Sequence, residues 1–223
     1  MQLFRASIAH FPKQTTQFSD DIAIFKDGGL LIDKKEIKDI GDFDTIAARY
    51  PAASVTDLTG KWILPGLIDS HLHYPQTQSI AHYGEQLLTW LENYYTFPAE
   101  MQFADSEHAD TIAKVFLNQL LKNGTTTGFV FTTVHKSSCQ ALFNAASDID
   151  MAIVAGKVCM DRNCPSQLND CAESAQADSA SLIETWHNKG RNRYALTPRF
   201  APTSTEAQLA ALGELAQQYS DVF

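Results

Sequence analysis

The sequence has few of the features that mark secreted, membrane-bound or nucleic-acid-binding proteins. Residues 1–12, MQLFRASIAHFP, contain no signal-peptide hydrophobic run, and no apolar stretch approaches the ~18 residues of a membrane span. Lys and Arg form no stripe, and the formal charge is -9, which argues against nucleic acid or an anionic membrane as partner. We therefore expect a cytoplasmic protein.

Several motifs of catalysis and covalent cross-linking are also missing. None of the four cysteines forms a C-x-x-C pair, so we expect reduced thiols rather than a disulfide framework. The sequence has no G-x-S-x-G, no phosphate loop, no dinucleotide fingerprint and no internal repeat. What is there is ordinary: 223 residues, 44% hydrophobic and 19% charged, can bury one large domain or one domain with a small companion.

Residues 1–61 predict a small β-rich flanking domain. The apolar runs Asp21–Lys26 and Leu30–Asp33 flank Asp27-Gly28-Gly29, which favours a hairpin turn there. Val55–Leu58 predicts a further strand, followed by a turn at Thr59-Gly60-Lys61. These strands are too few and short for a large core, so we expect a small sheet or sandwich.

From residue 62 to residue 223, strands and helices are predicted to alternate, which indicates a second domain of the α/β class. The β-branched and apolar runs predict strands at Trp62–His73, Thr125–Val134, Met151–Met160 and Tyr194–Phe200. Helices are expected at Ser79–Tyr94, Ser106–Lys122, Ser137–Ser147, Leu168–Lys189 and Thr205–Tyr219, the last capped by Ser204. This order predicts a parallel sheet covered by helices, either open or closed as a barrel.

His71 and His73 are the strongest candidates for chemistry. Side chains alternate along a strand, so both imidazoles lie on one face, with Asp69 on the same side and Leu72 opposite. They end an apolar run that begins after Pro65-Gly66, and the carboxyl end of a strand carries the active site in α/β barrels. An isolated H-x-H is more often a surface pair, but this setting favours metal ligands.

Other polar residues give weaker signals. His135 follows a predicted strand and could face the same site, although a loop position is the better interpretation. Cys159 is better explained by core packing than as a nucleophile. Arg199 and Phe200 end the last predicted strand: they could form an ordinary salt bridge and surface contact, or grip a planar base by hydrogen bonds and ring packing. The sequence alone leaves those two interpretations balanced.

These residues resemble a known superfamily. The run LPGLIDSHLH, which ends at His73, resembles the first-strand signature of the amidohydrolase superfamily, and the entry Gly124–Thr127 resembles its second strand. The continuation resembles the guanine deaminases within it. The matching segments are Tyr74–Thr77, Tyr83–Leu88, Trp90-Leu91, Tyr95–Pro98, Gly156–Val158, Met160–Asn163 and Arg199-Phe200.

The resemblance implies a TIM-like (β/α)8 barrel, about half of it in this chain, with a small β domain at the N-terminus. It implies zinc-dependent hydrolysis of guanine to xanthine and ammonia, with His71 and His73 as zinc ligands. Gln76 and Arg199 would hydrogen-bond the purine and Phe200 would pack against it, with Tyr74 and Pro75 also at the substrate. A homodimer is implied as well.

The resemblance also implies residues that this sequence does not contain. A third His, a Glu for proton transfer and a late metal-binding Asp are expected beyond Phe223, so we expect no turnover from this chain alone. Two alternatives stay open: a related deaminase acting on another purine, a pterin or a triazine, and a non-catalytic half-barrel that binds or assembles.

Overall fold

The structure is a computed structural model that describes residues 1–12, 22–84, 86–91 and 96–223. It divides into two compact units, Met1–Pro65 and Gly66–Phe223, which are called unit 1 and unit 2 below. No helix in the described part of the chain combines the length and the hydropathy of a membrane span. Each unit has its own sheet and its own core.

Unit 1 is a four-stranded mixed sheet with one helix. The elements are β1 (Gln2–His10), β2 (Ala23–Asp33), β3 (Glu36–Asp42), α1 (Phe43–Arg49) and β4 (Ser54–Ile63). The strands follow the order β3-β2-β1-β4; β2 is antiparallel to its neighbours β1 and β3, and β4 is parallel to β1. Apolar residues of β1 and β2 form two small clusters, one of which includes Ile46 of the helix.

The hairpin turn predicted at Asp27-Gly28-Gly29 is wrong. These residues lie inside β2, and the chain turns instead after Asp33, where Lys34 has a positive φ of 58°. A Cβ on Gly28 would stand 2.7 Å from Cδ1 of the buried Ile8. The glycine is therefore needed for close packing within a strand, which is the other common use of glycine in sheets.

The turn predicted at Thr59-Gly60-Lys61 also lies within a strand. The pairing of β4 with β1 jumps from Arg5–Asp57 to Ser7–Trp62, so the residues between them leave the ladder as an irregularity. Gly60 has a φ of 85° there, a conformation that favours glycine. The break in the strand was predictable from the sequence, but its form as a bulge rather than a turn was not.

Unit 2 is an α/β layer with an all-parallel sheet, which confirms the predicted class. The strands are β5 (Leu67–His73), β6 (Thr125–Phe131), β7 (Ala152–Gly156), β8 (Val158–Cys159), β9 (Asn192–Tyr194) and β10 (Thr197–Pro198). The main sheet has the order β5-β6-β7-β9, and β8 and β10 form a second parallel pair.

The long helices of unit 2 confirm most of the predicted ones. The helix predicted at Ser106–Lys122 has those bounds, and its apolar face packs on the sheet with Ile112, Phe116 and Leu117 buried. The helices are α2 (Leu87–Thr89), α3 (Thr96–Met101), α4 (Ser106–Lys122), α5 (Lys136–Asp148), α6 (Ala172–Trp186) and α7 (Glu206–Gln218).

Three details of unit 2 differ from the prediction. The helix expected over Ser79–Tyr94 is wrong in its first part, where a 3₁₀ segment at Tyr74–Ser79 leads into irregular chain and the short α2; residues 85 and 92–94 lie outside the described part. The cap of α7 is Thr205 rather than Ser204, since the Thr205 hydroxyl accepts from the Gln208 amide. Lys157 and the pair 195–196 interrupt the two strands that were predicted as continuous.

The cysteines of unit 2 have very different surroundings. Cys139 and Cys159 are fully buried, and Cys159 packs against Leu212 and Leu215, as expected of a core residue. Burial raises the pKa of the Cys159 thiol to about 11. Cys171 is exposed at the start of α6, where its Sγ accepts from the Ser174 amide.

Candidate metal and substrate site

The two histidines of β5 point at each other across one face of the strand. His71 Nε2 and His73 Nε2 are 3.3 Å apart. Two nitrogens that each lie ~2.0–2.1 Å from one tetrahedral Zn²⁺ stand ~3.3–3.4 Å apart, so the observed separation matches a shared ion. The backbone N–H of His71 donates to Asp69 Oδ1 at 3.1 Å, which ties the acidic residue to the strand rather than to the imidazoles.

The surroundings of His73 keep its imidazole neutral. The ring stacks on Phe131 with centroids 4.8 Å apart and planes 12° apart. Burial, followed by the charges of Arg199 and His71, lowers the pKa of His73 to about 4. A metal ligand must be the neutral imidazole, so this environment favours ion binding over protonation at neutral pH.

The pair is an incomplete ligand set. A catalytic zinc site uses three protein ligands and one open position. Within the described ranges, no group of three or more His, Cys, Asp or Glu side chains is placed to hold an ion. The donor type and spacing of His71 and His73 thus fit zinc, with two donors where a catalytic site needs three.

Tyr74 lies in the core, although the sequence suggested a place at the substrate. Its side chain has no exposed surface, and its hydroxyl donates to the Ser138 carbonyl oxygen at 2.9 Å. The ring also contacts Phe103 edge-on at 5.0 Å between centroids. Pro75, next in the chain, is buried as well. Both residues therefore fix the start of the 3₁₀ segment that follows β5 instead of offering a side chain to a ligand.

Arg199 is held by an ion pair with Glu100. Arg199 Nη1 donates to both carboxylate oxygens of Glu100, at 2.7 Å each, and the Glu100 side chain is fully buried. The guanidinium carbon lies 5.7 Å from the centroid of the Phe97 ring. One of the predicted substrate-binding residues is thus fixed by a buried acid.

Glu100 is the member of this cluster that sequence reasoning missed. Burial raises its pKa, while the charge of Arg199 and the hydrogen bonds from Arg199 and Gln76 oppose the rise. Its position inside α3, one turn after Phe97, resembles that of any helical glutamate. Its partner lies 99 residues away in sequence, so local spacing carries no signal for the pairing.

Phe200 and His135 stand differently from the buried cluster. Phe200 is 52% exposed and begins the short 3₁₀ turn after β10, so its ring is accessible to a ligand. His135 precedes α5, and its Nδ1 is 3.1 Å from the hydroxyl of Thr133. That contact gives His135 a local structural partner.

A cavity of about 490 Å³ opens beside β5. It is lined by His71, His73 and Gln76 together with Trp90, Phe116 and other residues. This volume is within the usual range for small-molecule sites. Neither Arg199 nor Phe200 is among the described residues that line it.

Comparison with known proteins places these features in a family. The amidohydrolase family model matches residues 62–222. The chain is 46% identical to a guanine deaminase of Escherichia coli over 208 residues, 93% of this chain and 47% of the relative. It is 37% identical to a probable guanine deaminase of Deinococcus radiodurans, over the whole chain and 52% of the relative.

Solved structures agree with this result. Escherichia coli guanine deaminase superposes with a TM-score of 0.95 at 43% identity, covering 100% of this chain and 52% of that one. Guanine deaminase from C. acetobutylicum, solved with guanine in its active site, gives 0.87 at 29% identity, covering 98% and 51%. The chain spans about half the length of the relatives it matches. This chain belongs to the amidohydrolase family.

Proposed function

We propose that this chain carries part of the active site of a zinc-dependent hydrolase that converts guanine to xanthine and ammonia. The observation that carries the proposal is the 3.3 Å approach of His71 Nε2 to His73 Nε2 at the end of β5. The guanine-bound relative supports the choice of substrate, since 98% of this chain superposes on it.

In this proposal each residue at the strand ends has a separate task. His71 and His73 hold zinc, which when bound acidifies water and so supplies a nucleophile for hydrolysis at neutral pH. Arg199 and Gln76 hydrogen-bond the purine, and the exposed ring of Phe200 packs on it. Tyr74 and Pro75 fix the 3₁₀ segment that carries Gln76 and need not touch the substrate.

We also propose that the parallel strands of unit 2 belong to a (β/α)8 barrel, with unit 1 as a separate small sheet. The strand order β5-β6-β7-β9 follows the chain order with a helix after each of the first three strands, as in such barrels. A cytoplasmic location and a homodimer stay predictions.

The test uses the protein expressed from its complete gene and compares zinc content with xanthine formation. The variant His71→Ala removes one ligand, so we expect loss of bound zinc and a fall in turnover of at least ~100-fold. The matched control is His10→Ala, on β1 of unit 1, which should keep both. Wild-type zinc content in His71→Ala would show that the metal assignment is wrong. Absence of xanthine from the zinc-loaded wild type would show that the substrate is wrong.

A further inference from the structure

Glu100 is a fully buried carboxylate that connects two separate segments of unit 2. It lies on α3 and binds Arg199 just after β10. The two contacts to Arg199 Nη1 measure 2.7 Å each. This acid therefore fixes a side chain at one of the strand ends at which we place the substrate.

Stability alone is a weak reason to bury such a pair. Moving a carboxylate and a guanidinium out of water carries a large desolvation cost, and well-packed apolar residues of similar volume often replace buried ion pairs without loss. Arg199 directly follows the end of β10, and the two histidines likewise lie at the carboxyl end of β5. A role in positioning accounts for the place of the pair better than a role in folding.

The ion pair leaves a defined part of Arg199 available. Nη1 is engaged by Glu100, while Nη2 and Nε make no hydrogen bond to another residue in the described part of the chain. The guanidinium is planar, so fixing Nη1 fixes the direction of the remaining donors. Those donors suit acceptor atoms such as O6 and N7 of guanine. The same donors oppose adenine, which presents the N6 amino donor where guanine presents the O6 acceptor.

We propose that Glu100 is a positioning residue that determines base specificity by fixing the donors of Arg199. This inference rests on the proposed function, because it takes guanine as the ligand. It adds a residue that touches no substrate atom and acts only through Arg199.

The test measures KM and kcat for guanine and the inhibition constant of adenine, with the zinc-loaded protein expressed from its complete gene. In Glu100→Gln the charge is lost, so the contact that fixes Arg199 Nη1 is weakened. We expect KM for guanine to rise about 10- to 100-fold, the loss typical of one charged hydrogen bond. We expect kcat to change less than ~3-fold, because only interactions common to ground and transition state are removed. Adenine should inhibit no more weakly than before, because the fixed donors of Arg199 do not favour adenine in the wild type.

The matched control is Glu107→Gln, an identical change on an exposed residue of α4, which should leave all three constants unchanged. Glu100→Asp provides a second variant if Glu100→Gln does not fold. Asp keeps the charge but is one methylene shorter, so it should raise KM without abolishing the fold.

The outcomes separate the two proposals. A wild-type protein that forms no xanthine overturns the proposed function. A wild-type protein that forms xanthine, while the folded Glu100 variants retain its KM and its preference for guanine over adenine, overturns the role of Glu100 alone. An equal fall in kcat and in the affinities for both purines indicates general damage to the fold and likewise overturns positioning.

Discussion

In unit 1, Arg5 pairs with Asp27 at the surface, where their side chains are 35% and 53% exposed. In unit 2, Lys157 pairs with Asp170 and Arg199 with Glu100, and none of these four side chains is more than 9% exposed. The pair in unit 1 stays in contact with water, whereas unit 2 removes two cations and two anions from it.

This difference in the exposure of the ion pairs indicates where unit 2 bears a cost in folding free energy. Surface pairs contribute little because water and salt screen them, and buried pairs must offset a desolvation cost. Both buried pairs lie at or just beyond the carboxyl ends of strands, since Lys157 follows β7 and Arg199 follows β10. The same end of the sheet carries His71 and His73. Among the described residues of unit 2, both buried ion pairs therefore have their cation at this end of the strands.

The largest expected effect comes from breaking the Lys157–Asp170 pair. Lys157→Met keeps the length of the side chain but leaves Asp170 buried without its cation, so we expect unit 2 to lose about 3–5 kcal/mol of stability. Hydrogen exchange of peptides from β6 and β7 measures the loss, and peptides from β1 report unit 1 separately. The control is Lys136→Met, whose pair with Asp178 is 34% exposed on each side. Similar losses in both variants would contradict the contrast between buried and exposed pairs.

A smaller effect is expected from the close packing at Gly28 in unit 1. In Gly28→Ala the new Cβ would lie 2.7 Å from a side-chain atom of Ile8, which is buried and must shift. We expect the free energy of unfolding to fall by roughly 1 kcal/mol, because the overpacking outweighs the lower entropy cost of ordering alanine instead of glycine. Gly41→Ala is the control, because its Cβ would have an ordinary 3.5 Å contact with Ile46. That variant should be neutral or slightly stabilised. Exchange in β1 and β2 measures both, and equal destabilisation would refute the packing argument.

The smallest effect is expected at Asp27. The hydrogen bond from Arg5 holds the pKa of Asp27 below its usual range. Any contribution of this pair to stability is therefore present above the pKa of Asp27 in the unfolded chain, and it is lost as pH falls through the pKa in the folded protein. Asp27→Asn should therefore leave the urea midpoint of unit 1 almost unchanged at neutral pH and high salt. A loss comparable to that of Lys157→Met would show that unit 1 also relies on charge.

The parts of the site that follow from strand periodicity could be predicted from the sequence. The alternation of side chains brings His71 and His73 to one face, and their 3.3 Å approach agrees with that rule. The parallel sheet likewise follows from alternating strands and helices, since β5, β6, β7 and β9 pair in that order.

The parts that depend on distant partners could not be predicted. Glu100 and Arg199 are joined only by the fold, and the burial of Tyr74 depends on Ser138 and Phe103 of later elements. The Asp27-Gly28-Gly29 error has a similar origin. A glycine pair favours a turn or a close approach equally well, and the neighbouring Ile8 that decides between them lies in another strand.

The unequal exposure of the cysteines gives the protein a natural order of chemical labelling. Alkylating reagents react with accessible thiolates, so Cys171 should be modified first, and Cys139 and Cys159 only when their surroundings open. A fluorophore on Cys171 would sit at the start of α6 without any engineered residue. The rate at which Cys159 is labelled would then measure how fast β8 opens. The carbonyl oxygen of Cys159 accepts from the backbone N–H of Arg199, so this opening would also release Arg199.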